Sequence, residues 1–148
     1  MEIVELNARL IMLHHDLLES DLTRSVIGAF YEVYNTLGYG FLEQVYTLAL
    51  ERELQWKGHR VAREVQIPVI YKGLDLAKQR LDMLVDHTLI IETKATSELP
   101  QAATRQLYNY LRATDLEVGL LLHFGPRPRF HRVFHRSRAS TMANGAAR

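Results

Sequence analysis

The amino-acid sequence predicts an α/β protein in which one mixed β-sheet is flanked by helices. Along the 148 residues, apolar patterns follow the order helix, helix, strand, strand, strand, helix, strand. The third helix lies between two predicted strands, and a crossover helix of this kind joins parallel strands of one sheet. The stretch 80–94, RLDMLVDHTLIIETK, indicates a β-hairpin that turns near residues 86–88 and around which the other elements are arranged.

Composition limits the class of protein. A chain of this length forms one domain with its own core. Apolar residues make up 47% and charged residues 24%, as in soluble globular proteins. The chain has no cysteine, which excludes disulfides, thiolate metal sites and cysteine nucleophiles. No apolar run approaches the ~20 residues that span a bilayer, and Glu2 and Glu5 precede any basic residue, unlike in a secretory signal. We therefore expect a cytoplasmic protein without membrane contact.

Three segments have the spacing of amphipathic helices. Apolar residues recur every three or four positions from about Asp21 to Leu37, whereas residues 1–19 have no clean period. A second helix is predicted from roughly Leu42 to Lys57. The third is predicted to begin with Pro100 at its first position and to run to about Arg112.

The remaining strands are predicted from alternation and from apolar runs. Residues from Val61 to Tyr71 alternate as if every second side chain shared one face, and Pro68 favours an edge position or a bulge there. Lys72-Gly73 is a predicted turn. Val118 to Phe124 indicates a buried strand, and Arg129 to His135 a final short one.

In the hairpin, a turn centred on His87 sets the register. Met83 then lies opposite Ile91 and Val85 opposite Leu89, which gives one continuous apolar face.

The same register places Asp82 opposite Glu92, with Lys94 on the same face. Directly opposed side chains lie roughly 5 Å apart at Cβ, so two carboxylates there repel each other. A divalent cation such as Mg²⁺, typically held by one or two carboxylates plus water and phosphate oxygens, removes that repulsion. The alternative is a solvated pair of edge charges, because a lone E-x-K tripeptide is common by chance.

Glu43 is a further candidate ligand. It lies in the first turn of the second helix, where the helix dipole alone favours a carboxylate. Tyr46 and Leu50 follow three and seven residues later, so Glu43 borders the apolar stripe and needs a partner there. On the third helix, Gln106 and Tyr110 share one face.

The charge of the C-terminal segment is one-sided. Beyond Glu117 there is no acidic residue, while arginines alternate with aromatic side chains. Such a stretch is typical of contact with a phosphate backbone, and Arg127, Arg129 and Arg132 are the candidate nucleic-acid-binding residues. From Ser137 onward we favour the alternative, a basic and disordered tail.

Four motifs occur in a recognisable order. They are Gly40-Phe41-Leu42-Glu43-Gln44-Val45-Tyr46, Asp82, Glu92-Thr93-Lys94 and Gln106-Leu107-Tyr108-Asn109-Tyr110. Over residues 13–134 the sequence resembles the GxxExxY family of the PD-(D/E)XK nuclease superfamily, and the last motif resembles the Q-x-x-x-Y motif of the RecB-like branch. Leu81 departs from the superfamily pattern, which has proline there.

The resemblance implies a restriction-endonuclease-like core and a metal-dependent phosphodiesterase. Residues 13–135 would form the nuclease-like domain, after an extension at 1–12 and before a tail at 136–148. Asp82, Glu92, Glu43 and the Thr93 carbonyl would bind Mg²⁺ or Mn²⁺.

The resemblance also assigns the other site residues. Lys94 would position the attacking water, and Gln106 and Tyr110 would orient Lys94, the water or a phosphate oxygen. We expect the substrate to be nucleic acid, with DNA favoured over RNA. Two alternatives stay open: a catalytically inactive nucleic-acid-binding module of the same fold, and a structural domain whose acidic cluster is incidental.

Overall fold

The computed structural model describes the backbone of residues 2–138; within the first helix it describes side chains from residue 20 onward and at Leu6, Arg9 and Leu10. The helices are α1 (Glu2–Leu37), α2 (Glu43–Trp56) and α3 (Ala102–Thr114). The strands are β1 (Val61–Tyr71), β2 (Leu74–Val85), β3 (Leu89–Lys94), β4 (Val118–Phe124) and β5 (Pro128–Phe134). Among these residues no helix is both long and apolar enough to cross a membrane.

The strands form one mixed sheet in the order β1-β2-β3-β4-β5. Only the β3–β4 pair is parallel, and α3 is the crossover helix between these two strands. The predicted α/β class is confirmed. The position of Pro68 is also as predicted, since β1 is an edge strand with an irregularity between Val69 and Ile70.

The second helix agrees with its prediction to within one residue at each end, but two predicted boundaries were wrong. The first helix begins at Glu2 rather than Asp21, because the preceding stretch is rich in Leu and Glu and contains neither Gly nor Pro. Pro100 precedes α3, where its carbonyl accepts a hydrogen bond from Ala103 N at 3.0 Å. Residues 139–148 of the predicted tail lie outside the described part of the chain.

Two apolar cores lie on opposite faces of the sheet. The larger core is formed by α1, α2 and the facing sides of β2, β3 and β4. At its centre Phe124 contacts Phe30 edge-on at 4.8 Å and stacks on Tyr46 at 4.4 Å, measured between ring centroids. The second core is formed by α3 and the other face of the sheet. Both cores must be intact for the helices to stay in place around the central strands.

The register of the β2–β3 hairpin is the predicted one. Met83 pairs with Ile91 and Val85 with Leu89, and all four side chains belong to the larger core. The turn is narrow, and His87 at its centre has a φ of 60°.

β1 and β2 change face at one point. Residues two apart on a regular strand share a face, yet Leu81 packs in the second core and Met83 in the larger one. The ladder passes over Glu64 and Asp82, and Glu64 has a φ of 54°. The predicted single face along β1 was therefore wrong. The change of face places Asp82 at a break in the backbone pairing of β1 and β2, and its side chain belongs to neither apolar core.

Helix α3 lies unusually close to the sheet at Gly119. A Cβ atom at Gly119 would lie 2.8 Å from Cδ1 of Leu107 and 3.0 Å from its Cγ. Only glycine therefore lets Leu107 pack directly on β4, so this residue fixes the height of α3 above the sheet.

A polar contact joins α1 to the β2–β3 turn. Ser25 Oγ lies 2.7 Å from His59 Nε2, and His59 Nδ1 lies 2.7 Å from Asp86 Oδ2. Asp86 Oδ1 also accepts a hydrogen bond from Arg60 N at 2.8 Å. The three side chains connect the first helix to the organising hairpin.

Candidate active site

Glu43 follows a short loop that Tyr46 fixes in place. The loop contains Gly38 and Gly40, whose φ angles of 71° and 114° are adopted readily only by glycine. The Tyr46 hydroxyl donates to the Gly38 carbonyl at 2.5 Å and accepts from Phe41 N at 3.2 Å. Tyr46 is itself fully buried. The first turn of α2, which carries Glu43, therefore starts from a fixed backbone.

Asp82 and Glu92 lie side by side where β2 and β3 separate. The backbone pairing extends only to Met83 and Ile91, and side chains continue the hydrogen bonding beyond it. Asp82 N donates to Glu92 Oε1 at 3.1 Å, and Thr93 N donates to Asp82 Oδ2 at 2.8 Å. Each carboxylate thus accepts a hydrogen bond from the backbone of the opposite strand. Asp82 and Glu92 lie opposite each other, as the predicted register requires.

Burial and repulsion from Asp82 disfavour the charged forms of Glu92 and Glu43. Glu92 is 5% exposed, and burial, followed by the charge of Asp82, raises its pKa from 4.5 to about 8. Burial and then Asp82 also raise the pKa of Glu43. The charge of Lys94 acts to lower the pKa of both Glu92 and Glu43. The three carboxyl groups and the lysine therefore lie close enough to influence one another.

Lys94, Gln106 and Tyr110 meet on the α3 side of the sheet, where they line one groove. Glu92 and Lys94 are two apart on β3 and so share this face. Gln106 Nε2 donates to Tyr110 Oη at 2.8 Å. The pKa of Tyr110 is raised by burial and then by the charges of Glu92 and Asp82. Because Tyr110 Oη accepts from Gln106, its own proton is left to donate to another oxygen.

Two threonines link the Asp82 carboxylate to α2, a contact that the sequence pattern did not indicate. Thr93 Oγ1 donates to Asp82 Oδ2 at 3.0 Å, and Thr47 Oγ1 lies 2.9 Å from Thr93 Oγ1. Thr47 Oγ1 also donates to the Glu43 carbonyl at 3.1 Å. These contacts connect α2 to β3. The only signal in the sequence is the spacing of four between Glu43 and Thr47, which is common for a threonine bonding to its own helix.

The donor atoms of this site fit a hard divalent cation. Asp82, Glu92 and the Thr93 backbone offer oxygen atoms, the ligands that Mg²⁺ prefers. Among the side chains that the structure describes, no group of three or more His, Asp or Glu residues is placed to hold a metal ion. A metal site here would therefore be centred on the Asp82–Glu92 pair and the Thr93 carbonyl, with Glu43 beside them.

The arginines predicted to contact nucleic acid are not among the residues that line this groove. Arg129 and Arg132 are exposed on β5, and their spacing of three places them on opposite faces of the strand. Val133 packs in the α3 core, whereas Phe130 contacts an aromatic ring of α1. Arg127 precedes the strand. Arg129 therefore lies on the α3 face of the sheet, separated from Lys94 by β4 alone, whereas Arg132 lies on the opposite face.

Comparison with known proteins agrees with this architecture. The solved structure of SSO0001 matches with a TM-score of 0.51 and 21% sequence identity, over 70% of this chain and 55% of that one. This chain thus spans about half the length of SSO0001, and at this identity the likeness concerns the fold alone. No curated protein matches the sequence.

The family comparison covers most of the chain. A model of the PD-(D/E)XK nuclease superfamily matches residues 20–136, which include both cores and every predicted site residue. The mixed sheet with helices on both faces is the restriction-endonuclease-like fold, and this chain belongs to the PD-(D/E)XK nuclease superfamily.

Proposed function

We propose that this protein is a nuclease of the GxxExxY family that hydrolyses phosphodiester bonds in nucleic acid, DNA rather than RNA, with Mg²⁺ or Mn²⁺. The observation that carries the proposal is the Asp82–Glu92 pair, two adjacent carboxyl groups beside Lys94, with the pKa of Glu92 raised to about 8. Folding gains nothing from such repulsion, and a divalent cation would relieve it. Superfamily membership supports the same chemistry.

Residues of β2, β3 and α2 would together bind the cation. Asp82 and Glu92 would hold it together with the Thr93 carbonyl, and Glu43 would reach it directly or through water. The bound cation supplies Lewis acidity at the phosphate and lowers the pKa of a bound water. Thr93 also keeps Asp82 in one orientation through its two hydrogen bonds.

The α3 side of the site would act on the phosphate. In hydrolysis the water oxygen forms a bond to phosphorus and releases a proton, the ester P–O bond breaks, and the leaving oxygen takes up a proton, so that one water is added in total. The Lys94 ammonium would position the water and offset the negative charge that develops on the phosphate. Tyr110, which accepts from Gln106, would donate its proton in a hydrogen bond to a phosphate oxygen.

A cleavage assay with Mg²⁺, Mn²⁺ or chelator, across single-stranded, double-stranded, branched and RNA substrates, tests the proposal. Lys94→Ala should lower turnover by about 10²-fold or more, as expected for loss of one charge-stabilising group, without weakening metal binding measured by calorimetry. Glu92→Gln should lose both. Lys57→Ala, at an exposed lysine, is the matched control.

Two outcomes would contradict the proposal. Equal activity of wild type and Lys94→Ala would point to a contaminating nuclease. Tight binding of nucleic acid without cleavage in any divalent cation would instead indicate the inactive binding module.

A further inference from the structure

The groove beside Lys94 has two walls of different character. It encloses about 1100 Å³ between α3 and the β1–β2 hairpin, slightly more than the 300–1,000 Å³ typical of small-molecule sites. The α3 wall presents hydrogen-bond donors at helical spacing: Arg105, Gln106, Asn109 and Arg112. The opposite wall is the uncharged segment 67–70 of β1. The groove is therefore cationic on one side and apolar on the other.

The cationic wall is prepared for an anionic ligand. The Arg105 guanidinium lies 5.0 Å from the centroid of the Tyr108 ring, a stacking contact that leaves its N–H groups at the edge to donate. Arg138 lines the far end of the same groove. Asp115 is the one acidic residue among the described lining residues, and it is already bonded to Arg138 N at 3.0 Å and lies 3.7 Å from His135 Nε2. Positive charge therefore predominates along this wall.

The apolar wall is exposed at its outer part. Ile67 is buried against α3 at the base of the groove, Val69 is half-buried, and Ile70 is 56% exposed. These residues belong to the edge strand β1, and within the described part of the chain no further strand pairs with it. A ligand with flat apolar surfaces would bury Val69 and Ile70 further.

We propose that this groove binds one single strand of nucleic acid, with its phosphates along Arg105 and Arg112 and its bases against Val69 and Ile70. A single strand presents phosphates on one side and base faces on the other, and proteins bind it by combining cations with contacts to those faces. A duplex presents phosphates on both strands and encloses its base faces, so it does not match a groove with cations on one wall only. The groove leads the strand to Lys94. This inference rests on the proposed function and specifies its substrate.

Binding measured in chelator, where a metal-dependent nuclease cannot cleave, tests the groove separately from catalysis. Fluorescence anisotropy would compare an oligo(dT) strand with a duplex of equal length over a series of salt concentrations. Wild type should bind the strand more tightly. Arg105→Ala/Arg112→Ala should reduce the slope of log affinity against log salt by about 1.4, since each phosphate contact to a single strand contributes about 0.7. At 0.15 M salt this corresponds to about tenfold weaker binding.

Two further variants test the apolar wall and provide a charge-matched control for the cationic wall. Ile70→Ala should weaken strand binding severalfold and leave the salt slope unchanged. Arg24→Ala/Arg52→Ala removes the same charge from exposed positions on α1 and α2 and should retain the wild-type slope. Arg105 and Arg112 are exposed, so thermal melts of their variants should match wild type.

The results separate this inference from the proposed function. An unchanged slope in Arg105→Ala/Arg112→Ala, or tighter binding of the duplex than of the strand, would overturn the inference even if the protein cleaves nucleic acid. Strand binding that depends on these arginines would support it even if no divalent cation produced cleavage, in which case the nuclease proposal alone would fail.

Discussion

Replacing Glu92 by glutamine should stabilise the metal-free protein at neutral pH. The pKa of Glu92 is raised to about 8 by burial and then by Asp82, against 4.5 in the unfolded chain. Between these values the folded state keeps a proton that the unfolded state has released, so the free energy of unfolding falls as the pH rises. At 1.36 kcal/mol per unit, the loss between pH 4.5 and pH 7 is at most about 3 kcal/mol.

Glu92→Gln has no proton to retain, and its Oε1 can still accept from Asp82 N. In chelator at pH 7 it should therefore be more stable than wild type by up to about 3 kcal/mol, or about 6–12 °C in Tm for a domain of this size. Near pH 4 the two proteins should be equally stable. Thermal melts over a pH series measure the difference, with Glu32→Gln, at an exposed position of α1, as the control.

Addition of Mn²⁺ should reverse the order of stability. Wild type should gain about 2.7 kcal/mol at a hundredfold excess over Kd, and Glu92→Gln should gain little. A variant that is less stable than wild type in chelator at pH 7, or a difference that does not change with pH, would refute the reasoning about repulsion at this site.

Three other substitutions test the contacts around the site. Tyr46→Phe removes two hydrogen bonds to the loop before α2 and should cost about 1–3 kcal/mol in urea melts and lower nuclease activity, whereas Tyr39→Phe, at an exposed tyrosine, should do neither. Burial raises the pKa of Asp86, but hydrogen bonds from a backbone amide and from His59 outweigh it, so the pKa is lowered. Asp86→Asn should therefore reduce the free energy of unfolding at pH 7. The difference in stability from wild type should shrink as the pH falls below about 3.8. Gly119→Ala should cost about 1–3 kcal/mol by overpacking and also lower activity.

The hairpin at the centre of the fold could be predicted from the sequence because its register has one acceptable solution. Met83, Val85, Leu89 and Ile91 must face the same way to be buried together, and a slip of one residue would turn all side chains of one strand over. The adjacency of Asp82 to the next strand follows from the same argument.

Other features depend on tertiary contacts that no local pattern records. Glu64 adopts a positive φ although nothing at that position marks a turn, and the change of strand face at Asp82 accompanies it. The contact of Thr47 with Thr93 arises only because α2 crosses β3. The predicted start of α1 was too late because the first half of the helix has intrinsic helix propensity but no amphipathic spacing.

The close approach of α3 to Gly119 couples two parts of the molecule. One helix carries both the cationic wall of the groove and the Gln106–Tyr110 pair next to Glu92, and the side chain of Leu107 rests on a residue without a Cβ. A methyl group there would meet the Leu107 side chain, and any shift of the helix that relieves this contact would move the groove wall and Tyr110 together. Substitution at this position would therefore alter the groove and the carboxylate site jointly, whereas substitution of exposed residues on α3 would alter the groove alone.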